Sequence, residues 1–233
     1  MRLLVSVVDA DEARDAAAAG ADIVDVKNPA EGSLGAPSPA VIEDVRAAVP
    51  AELPVSAAIG DMPNLPGTAA LAAAGAARSG ATFVKVGLWG VSTEGEAVAL
   101  LRAVRDGVAG AYADARRVPH APLAPELLPR VARAAGIGVC LLDTAIKDGR
   151  GLLDWLSPDA LTALVDDAHA AGLEVALAGA LRAEDLQVIR ATGADIAGVR
   201  SAACGDGRRT GPLDAARVRA LRAACAATPL PSL

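Results

Sequence analysis

The chain alternates short β-branched runs with Ala-rich stretches eight times, and this alternation constrains its fold more than any other feature. The predicted strands are, in chain order, Leu3–Val7, Ile23–Lys27, Val55–Ala58, Phe83–Val86, Val108–Tyr112, Val139–Asp143, Glu174–Ala178 and Ile196–Val199. The predicted helices are Asp11–Ala19, Pro39–Ala48, Leu65–Ser79, Glu94–Arg105, Pro125–Ala135, Pro158–Ala171, Arg182–Thr192 and Asp214–Ala226. Such alternation indicates a parallel sheet whose strands are joined by helical crossovers.

Eight strand–helix units in 233 residues predict an α/β protein with a single (β/α)8 TIM-barrel domain over residues 1–233. A doubly wound open sheet is the main alternative. That fold usually carries a Gly-rich turn after its first strand, and Val7–Ala10 contains no glycine.

Composition narrows the function classes. Hydrophobic residues make up 53% of the chain and aromatics only 2%, so we expect an aliphatic core. The net charge of −6 argues against nucleic acid or an anionic membrane as a partner. No apolar run is long enough to span a membrane, and no signal peptide is evident, so we expect a cytoplasmic protein. Three widely spaced cysteines predict reduced thiols, and the Ala-rich helices lead us to expect a homo-oligomer.

Lysine occurs only at Lys27, Lys85 and Lys147, whereas arginine fills the other basic positions. A codon bias explains why lysine is scarce, but not why the remaining lysines follow or end apolar runs. Arginine serves as well as lysine on a solvated surface, but its guanidinium stays protonated and cannot act as an amine nucleophile. The pattern therefore indicates amine chemistry at strand ends.

In a (β/α)8 barrel the reactive residues lie at the carboxyl ends of the strands. Asp25 and Lys27 are two apart on the second strand and share its inner face. Lys85 is predicted to end the fourth strand and Asp143 the sixth, and Lys147 follows in the next loop. Even-numbered strands contribute to the same interior layers, so these side chains are predicted to converge. They suit imine chemistry with carboxylate proton transfer. The alternative is that Asp25 and Lys27 form a buried structural ion pair.

Two loops are candidates for phosphate binding. Gly179 follows the seventh strand, and Gly198, Arg200, Ser201 and Ala202 form the end of the eighth strand and the start of the loop after it. Loops at these places form the recurrent phosphate site of the fold. A third loop, residues 28–35, is rich in polar and glycine residues. It is either a mobile cover over the site or an ordinary strand–helix connection.

The two histidines exclude other chemistry. His169 lies in a helical stretch and His120 in a Pro-rich loop, and neither has companions at metal-ligand spacing. No G-x-S-x-G motif is present for a Ser-His-Asp hydrolase. We therefore predict a site without a metal.

Several segments resemble one family, the (5-formylfuran-3-yl)methyl phosphate synthases of methanofuran biosynthesis. The most specific is the run D-V-K-N-P-A-E-G-S-L-G-A from Asp25 to Ala36. The others are Leu3–Ser6, Lys85–Leu88, Leu142–Thr144, Lys147–Gly149 and Gly198–Arg200. Ser201 stands where the family more often has glycine.

The resemblance implies a lyase that joins two molecules of glyceraldehyde 3-phosphate, with loss of phosphate and water, and needs no cofactor. Lys27 would be the Schiff-base lysine, and Asp25 or Asp143 would move the α-proton. Lys85 would lower the pKa of Lys27 or neutralise oxyanions, and Lys147 would contact a phosphate or hydroxyl. The furan would be used to make methanofuran, for one-carbon metabolism, or to make another furan compound.

Three alternatives remain open at this point. The same barrel would suit a class I aldolase or a phosphosugar isomerase, neither of which would build a furan ring. A catalytically silent barrel that binds a phosphorylated metabolite or a partner protein is the third.

Overall fold

The computed structural model describes residues 1–104, 107–118 and 122–226. Eight parallel strands close into a barrel in chain order, with the last strand pairing with the first. The strands are β1 (Arg2–Val7), β2 (Ile23–Val26), β3 (Val55–Pro63), β4 (Phe83–Gly90), β5 (Gly107–Tyr112), β6 (Val139–Asp143), β7 (Glu174–Leu177) and β8 (Ile196–Val199). The predicted (β/α)8 barrel and all eight predicted strands are confirmed.

Within the residues that the structure describes, eight α-helices surround the strands. They are α1 (Ala10–Ala18), α2 (Pro39–Ala48), α3 (Pro66–Arg78), α4 (Glu94–Ala103), α5 (Leu128–Ala135), α6 (Pro158–Ala170), α7 (Asp185–Ala191) and α8 (Ala215–Ala226). The predicted fourth helix ended at Arg105, which lies outside the described residues, as do His120 and the segment 227–233.

Local sequence signals explain where helices begin. Ser38 and Ser157 each precede a proline, and each side chain accepts a hydrogen bond from the backbone N–H three residues later, in α2 and α6. This arrangement satisfies one of the free donors at a helix start, and proline fits there because it has no N–H to leave unpaired.

Strand β4 corrects one prediction. Lys85 was predicted to end its strand, but β4 continues to Gly90 because β3 also continues to Pro63 and pairs with it. The pairing contains register shifts around Asp61. Lys85 therefore lies inside the strand, level with Ala58 and Val108, and deeper in the barrel than expected.

The core has two parts. The larger cluster fills the space between the outer faces of the strands and the helices. The smaller cluster lies inside the barrel and includes Leu4, Ile23, Val108, Leu141 and Ile196. Inward-facing residues alternate along a strand, so the next inward-facing position lies two residues after each of these apolar residues. These positions form the next interior layer toward the carboxyl ends of the strands. That layer holds the polar side chains of the site.

No helix within the described ranges is both long enough and apolar enough to span a membrane. The three cysteines, Cys140, Cys204 and Cys225, are buried free thiols, as the sequence predicted.

Candidate active site

Asp25 is fully buried at the centre of the barrel and is surrounded by donors. The pairing register places Ser6 of β1 and Ser56 of β3 level with it. Ser6 Oγ donates to Asp25 Oδ2 (2.9 Å), and Ser56 Oγ donates to Oδ1 (2.7 Å). Lys85 Nζ donates to Oδ2 at 2.6 Å. The carboxylate is thus paired and hydrogen-bonded on both oxygens, which burial of a charge requires.

The buried ion pair therefore joins Asp25 to Lys85. The alternative interpretation of the sequence had paired Asp25 with Lys27. The Lys85 side chain is 5% exposed and that of Asp25 is 0% exposed. Removing one partner of such a pair would leave an uncompensated buried charge.

Lys27 follows β2 directly, and its side chain is buried at the mouth of the barrel. Burial lowers its pKa to about 7, with help from the positive charges of Lys85 and Lys147. Asp143 and Asp25 oppose this shift. A large fraction of Lys27 is therefore an uncharged amine at neutral pH, the form that attacks a carbonyl.

Asp143 ends β6 and forms the second ion pair of the site. Lys147 Nζ donates to Asp143 Oδ1 (2.8 Å) and to Thr144 Oγ1 (3.1 Å). The Thr144 N–H also donates to Asp143 Oδ1, at 2.7 Å. Burial alone would raise the pKa of Asp143, but the charges of Lys147 and Lys27 and these hydrogen bonds lower it to about 2. Asp143 is therefore an ionised acceptor at neutral pH.

One cavity at the carboxyl ends of the strands brings most of the predicted residues together. Its lining includes Lys27, Lys85, Asp143, Lys147, Gly179, Gly198, Arg200 and Ser201. Asp25 lies beneath the lining, behind Ser6 and Lys85, and Ala202 lies outside it. The predicted convergence of lysines and carboxylates is present in the structure.

The loop after β7 has an unusual backbone. Gly179 has φ +105°, and a Cβ there would lie 3.0 Å from the backbone nitrogen of Thr144. Ala180 has φ +49°, the only positive φ of a non-glycine residue in the described part of the chain. Left-handed backbone at a residue with a Cβ costs about 1–2 kcal/mol. Such strain concentrates where a loop must hold a ligand, and both residues line the cavity.

Arg200 lies beside this loop, with its guanidinium fully occupied by protein groups. It forms a bidentate ion pair with Glu12, and it donates to the backbone oxygens of Ser6 (3.0 Å), Arg209 (2.8 Å) and Gly211 (2.8 Å). These contacts use all five guanidinium donors. A hydrogen bond from Arg200 to a phosphate would have to replace one of these contacts.

The loop of residues 28–35 is fastened over the barrel mouth. Asp61 of β3 accepts from the Ser33 N–H (2.8 Å) and from the Tyr112 hydroxyl (2.5 Å). Ser33 Oγ donates to the Thr144 carbonyl (2.8 Å). Gly32 has φ +121°, and a Cβ there would collide with the Asp61 carboxylate. The loop glycine is thus required both by backbone geometry and by this contact.

The sequence-based list of site residues missed five that the structure places there. They are Ser6, Ser56, Asp61, Tyr112 and Arg209. The two serines could have been found from the sequence, because each is a polar residue on the inner face of an otherwise apolar strand. Asp61 could not, because β3 was predicted to end before it.

Arranged in this way, the site offers an amine that is partly uncharged at neutral pH, an ionised carboxylate near it, and cations for anionic groups. Such a set can form an imine, move a proton on the adjacent carbon and hold phosphate esters. Within the described residues, no three His, Cys, Asp or Glu side chains are grouped so that they could hold a metal ion.

Solved structures with similar backbones are TIM-barrel proteins of low sequence identity. The 3-hexulose-6-phosphate synthase of Salmonella typhimurium superposes with a TM-score of 0.66 at 18% identity, covering 97% of this chain and 99% of that one. The phosphoribosyl anthranilate isomerase of Thermus thermophilus gives a TM-score of 0.61 at 17% identity, with 97% and 98% covered. At such identities the likeness shows the fold alone.

Sequence similarity is more specific. The family model described as 4-HFC-P synthase matches residues 3–222. The (5-formylfuran-3-yl)methyl phosphate synthase of Methanocaldococcus jannaschii is 49% identical over 236 residues, covering 97% of this chain and 100% of that protein. The enzyme of the same name from Methanopyrus kandleri is also 49% identical, with 97% and 99% covered. This chain therefore belongs to the (5-formylfuran-3-yl)methyl phosphate synthase family.

Proposed function

We propose that this chain is a carbon–oxygen lyase that condenses two molecules of glyceraldehyde 3-phosphate into (5-formylfuran-3-yl)methyl phosphate through an imine on Lys27. The observation that carries the proposal is the state of Lys27, whose pKa is lowered to about 7 at the mouth of the barrel. The amine is buried where an aldehyde would enter, and part of it is unprotonated at neutral pH. Family membership supports the furan product.

Asp143 is the carboxylate best suited to move the α-proton of the imine. It lines the same cavity as Lys27, and its negative charge is the largest Coulombic influence on that lysine. Asp25 lies below the cavity lining, and both of its oxygens already accept hydrogen bonds. Abstraction of the proton gives an enamine, from which phosphate is eliminated. Aldol addition, ring closure and dehydration complete the furan, and either the elimination or the aldol step can come first.

The other charged groups set the electrostatics of this chemistry. Lys85 is held in place by Asp25, and its positive charge lowers the pKa of Lys27. The positive charge of Lys147, which is paired with Asp143, also lowers the pKa of Lys27. Lys147 lines the cavity, where it can contact a phosphate or hydroxyl group of the substrate. The loops after β7 and β8 would hold the phosphate that stays in the product, with Gly179, Gly198 and Ser201 facing the cavity.

Incubation of the purified protein with glyceraldehyde 3-phosphate tests the proposal. The expected result is growth of a furan absorbance together with release of inorganic phosphate in equal amount. Lys27→Arg keeps the positive charge but removes the nucleophile, so we expect it to abolish both signals. Lys147→Arg is the matched control, because it also replaces a site lysine by arginine but leaves the nucleophile, and we expect residual activity.

An aldolase or an isomerase would consume the substrate without forming either product. Consumption without furan or phosphate would therefore reject the synthase and favour those alternatives. Full activity of Lys27→Arg would reject the imine mechanism.

A further inference from the structure

Arg209 is a cavity residue to which neither the sequence nor the proposed mechanism gives a role. It lies in the loop between β8 and α8, is half-buried, and lines the same cavity as Lys27 and Lys147. Its guanidinium reaches across to the loop of residues 28–35 and donates to the Gly32 carbonyl at 2.7 Å. It thus spans the rim above β1, on the side of the mouth next to Lys27.

The loop that carries Arg209 is held in place by Arg200. Arg200 donates to the backbone carbonyl of Arg209 and to that of Gly211, and its ion pair with Glu12 anchors it to α1. A guanidinium with all five donors in use is a structural clamp. Arg209 differs, because in the described part of the chain its guanidinium makes only one hydrogen bond, to the Gly32 carbonyl, and so has unused donors.

Among the cations that line the cavity, Lys27 and Arg209 are the two that form no ion pair in the described part of the chain. Asp25 neutralises Lys85, and Asp143 neutralises Lys147. Lys27 loses much of its charge near neutral pH. Burial lowers the pKa of Arg209, which Asp143 and Asp61 oppose through charge rather than through a hydrogen bond. A guanidinium with unused donors in the lining of a partly desolvated cavity can form charge-assisted hydrogen bonds with a phosphate.

We propose that Arg209 binds the phosphate of the substrate molecule that undergoes elimination, on the β1–β2 side of the mouth. The retained phosphate then lies against the backbone around Gly179, Gly198 and Ser201, which line the same cavity. In the elimination the enamine electron pair forms the new carbon–carbon double bond while the carbon–oxygen bond to phosphate breaks. The bonding pair leaves on the phosphate oxygen, where Arg209 stabilises the added negative charge. This proposal rests on the proposed function.

Calorimetric titration with inorganic phosphate tests the site without any turnover. We expect Arg209→Met to lose one bound phosphate per chain, or to bind it on the order of tenfold more weakly, since a charge-assisted hydrogen bond is lost. Arg208→Met is the matched control. Arg208 is next to it in the same loop, but its side chain is 79% exposed and pairs with Asp206, so phosphate binding should stay as in the wild type.

Equal stoichiometry and affinity in Arg209→Met and the wild type would overturn the proposal, including the case in which neither binds phosphate. Steady-state kinetics give the second readout. Arg209→Met should raise KM for glyceraldehyde 3-phosphate and lower kcat, with partial recovery in Arg209→Lys. A merely structural role predicts instead a lowered melting temperature and no recovery by lysine. If phosphate binding depends on Arg209 but no furan forms, the proposed function fails and the phosphate site remains.

Discussion

At the scale of single residues, burial and neighbouring charges decide how Lys27 behaves. Its pKa is lowered to about 7, chiefly by burial, whereas Asp143 is the largest influence in the opposite direction. The amine should therefore become reactive as the pH rises through about 7 and reach a plateau above it. Because the pKa of Asp143 is lowered to about 2, that carboxylate contributes no titration in the same range.

Reductive methylation of each lysine as a function of pH, followed by mass spectrometry, measures this titration directly. We expect a midpoint near 7 for Lys27. Asp143→Asn removes a charge that raises the pKa, so the midpoint should move to lower pH. Lys147→Met removes a charge that lowers the pKa, so the midpoint should move to higher pH. Shifts in the same direction in both variants would contradict the electrostatic account.

The pair of Asp25 and Lys85 is the other determinant at this scale. Lys85→Met leaves the buried Asp25 carboxylate without its cation, which should lower the free energy of unfolding by about 3–5 kcal/mol. Adding Asp25→Asn removes the stranded charge, so the double variant should be more stable than Lys85→Met alone. Urea denaturation of the four proteins in this cycle makes the comparison. Additive losses would mean that the two side chains do not depend on each other.

At the scale of elements, the loop after β7 holds backbone strain that faces the cavity. Ala180 is left-handed, and glycine adopts this backbone without the penalty that a Cβ imposes. We expect Ala180→Gly to be neutral or to stabilise the protein by up to about 1 kcal/mol, whereas Ala180→Val should destabilise it by more than that. Ala191→Gly, near the end of α7, is the control and should be destabilising.

Thermal melting of these three variants tests the strain. The account of the loop is wrong if Ala180→Gly lowers the melting temperature as much as Ala191→Gly does. Catalytic activity should survive in Ala180→Gly, because the backbone conformation that lines the cavity is kept.

At the scale of the whole molecule, local patterns in the sequence predicted the barrel because each strand and helix carries its own signal. Ser38 and Ser157 begin helices, and the apolar runs form all eight strands in order. The inward alternation of Asp25 and Lys27 also followed from strand geometry. These features depend on neighbouring residues, which a single sequence displays.

The parts that the sequence did not predict depend on contacts between distant segments. Lys85 was placed at a strand end because the apolar run Phe83–Val86 was taken as the whole strand, whereas pairing with β3 continues the strand to Gly90. Asp61 and Tyr112 lie 51 positions apart and meet only through the barrel. Arg200 acts as a clamp because of Glu12 and Gly211, which lie outside the segment that led to its prediction as a phosphate ligand.

Borohydride reduction in the presence of glyceraldehyde 3-phosphate, followed by peptide mass mapping, shows whether Lys27 forms an imine with this substrate. We expect one reduced adduct, on the peptide that contains Lys27. The adduct should disappear in Lys27→Arg and persist in Lys147→Arg. A reduced adduct on Lys85 or Lys147, or furan formation with no trapped adduct on any lysine, would contradict an imine on Lys27.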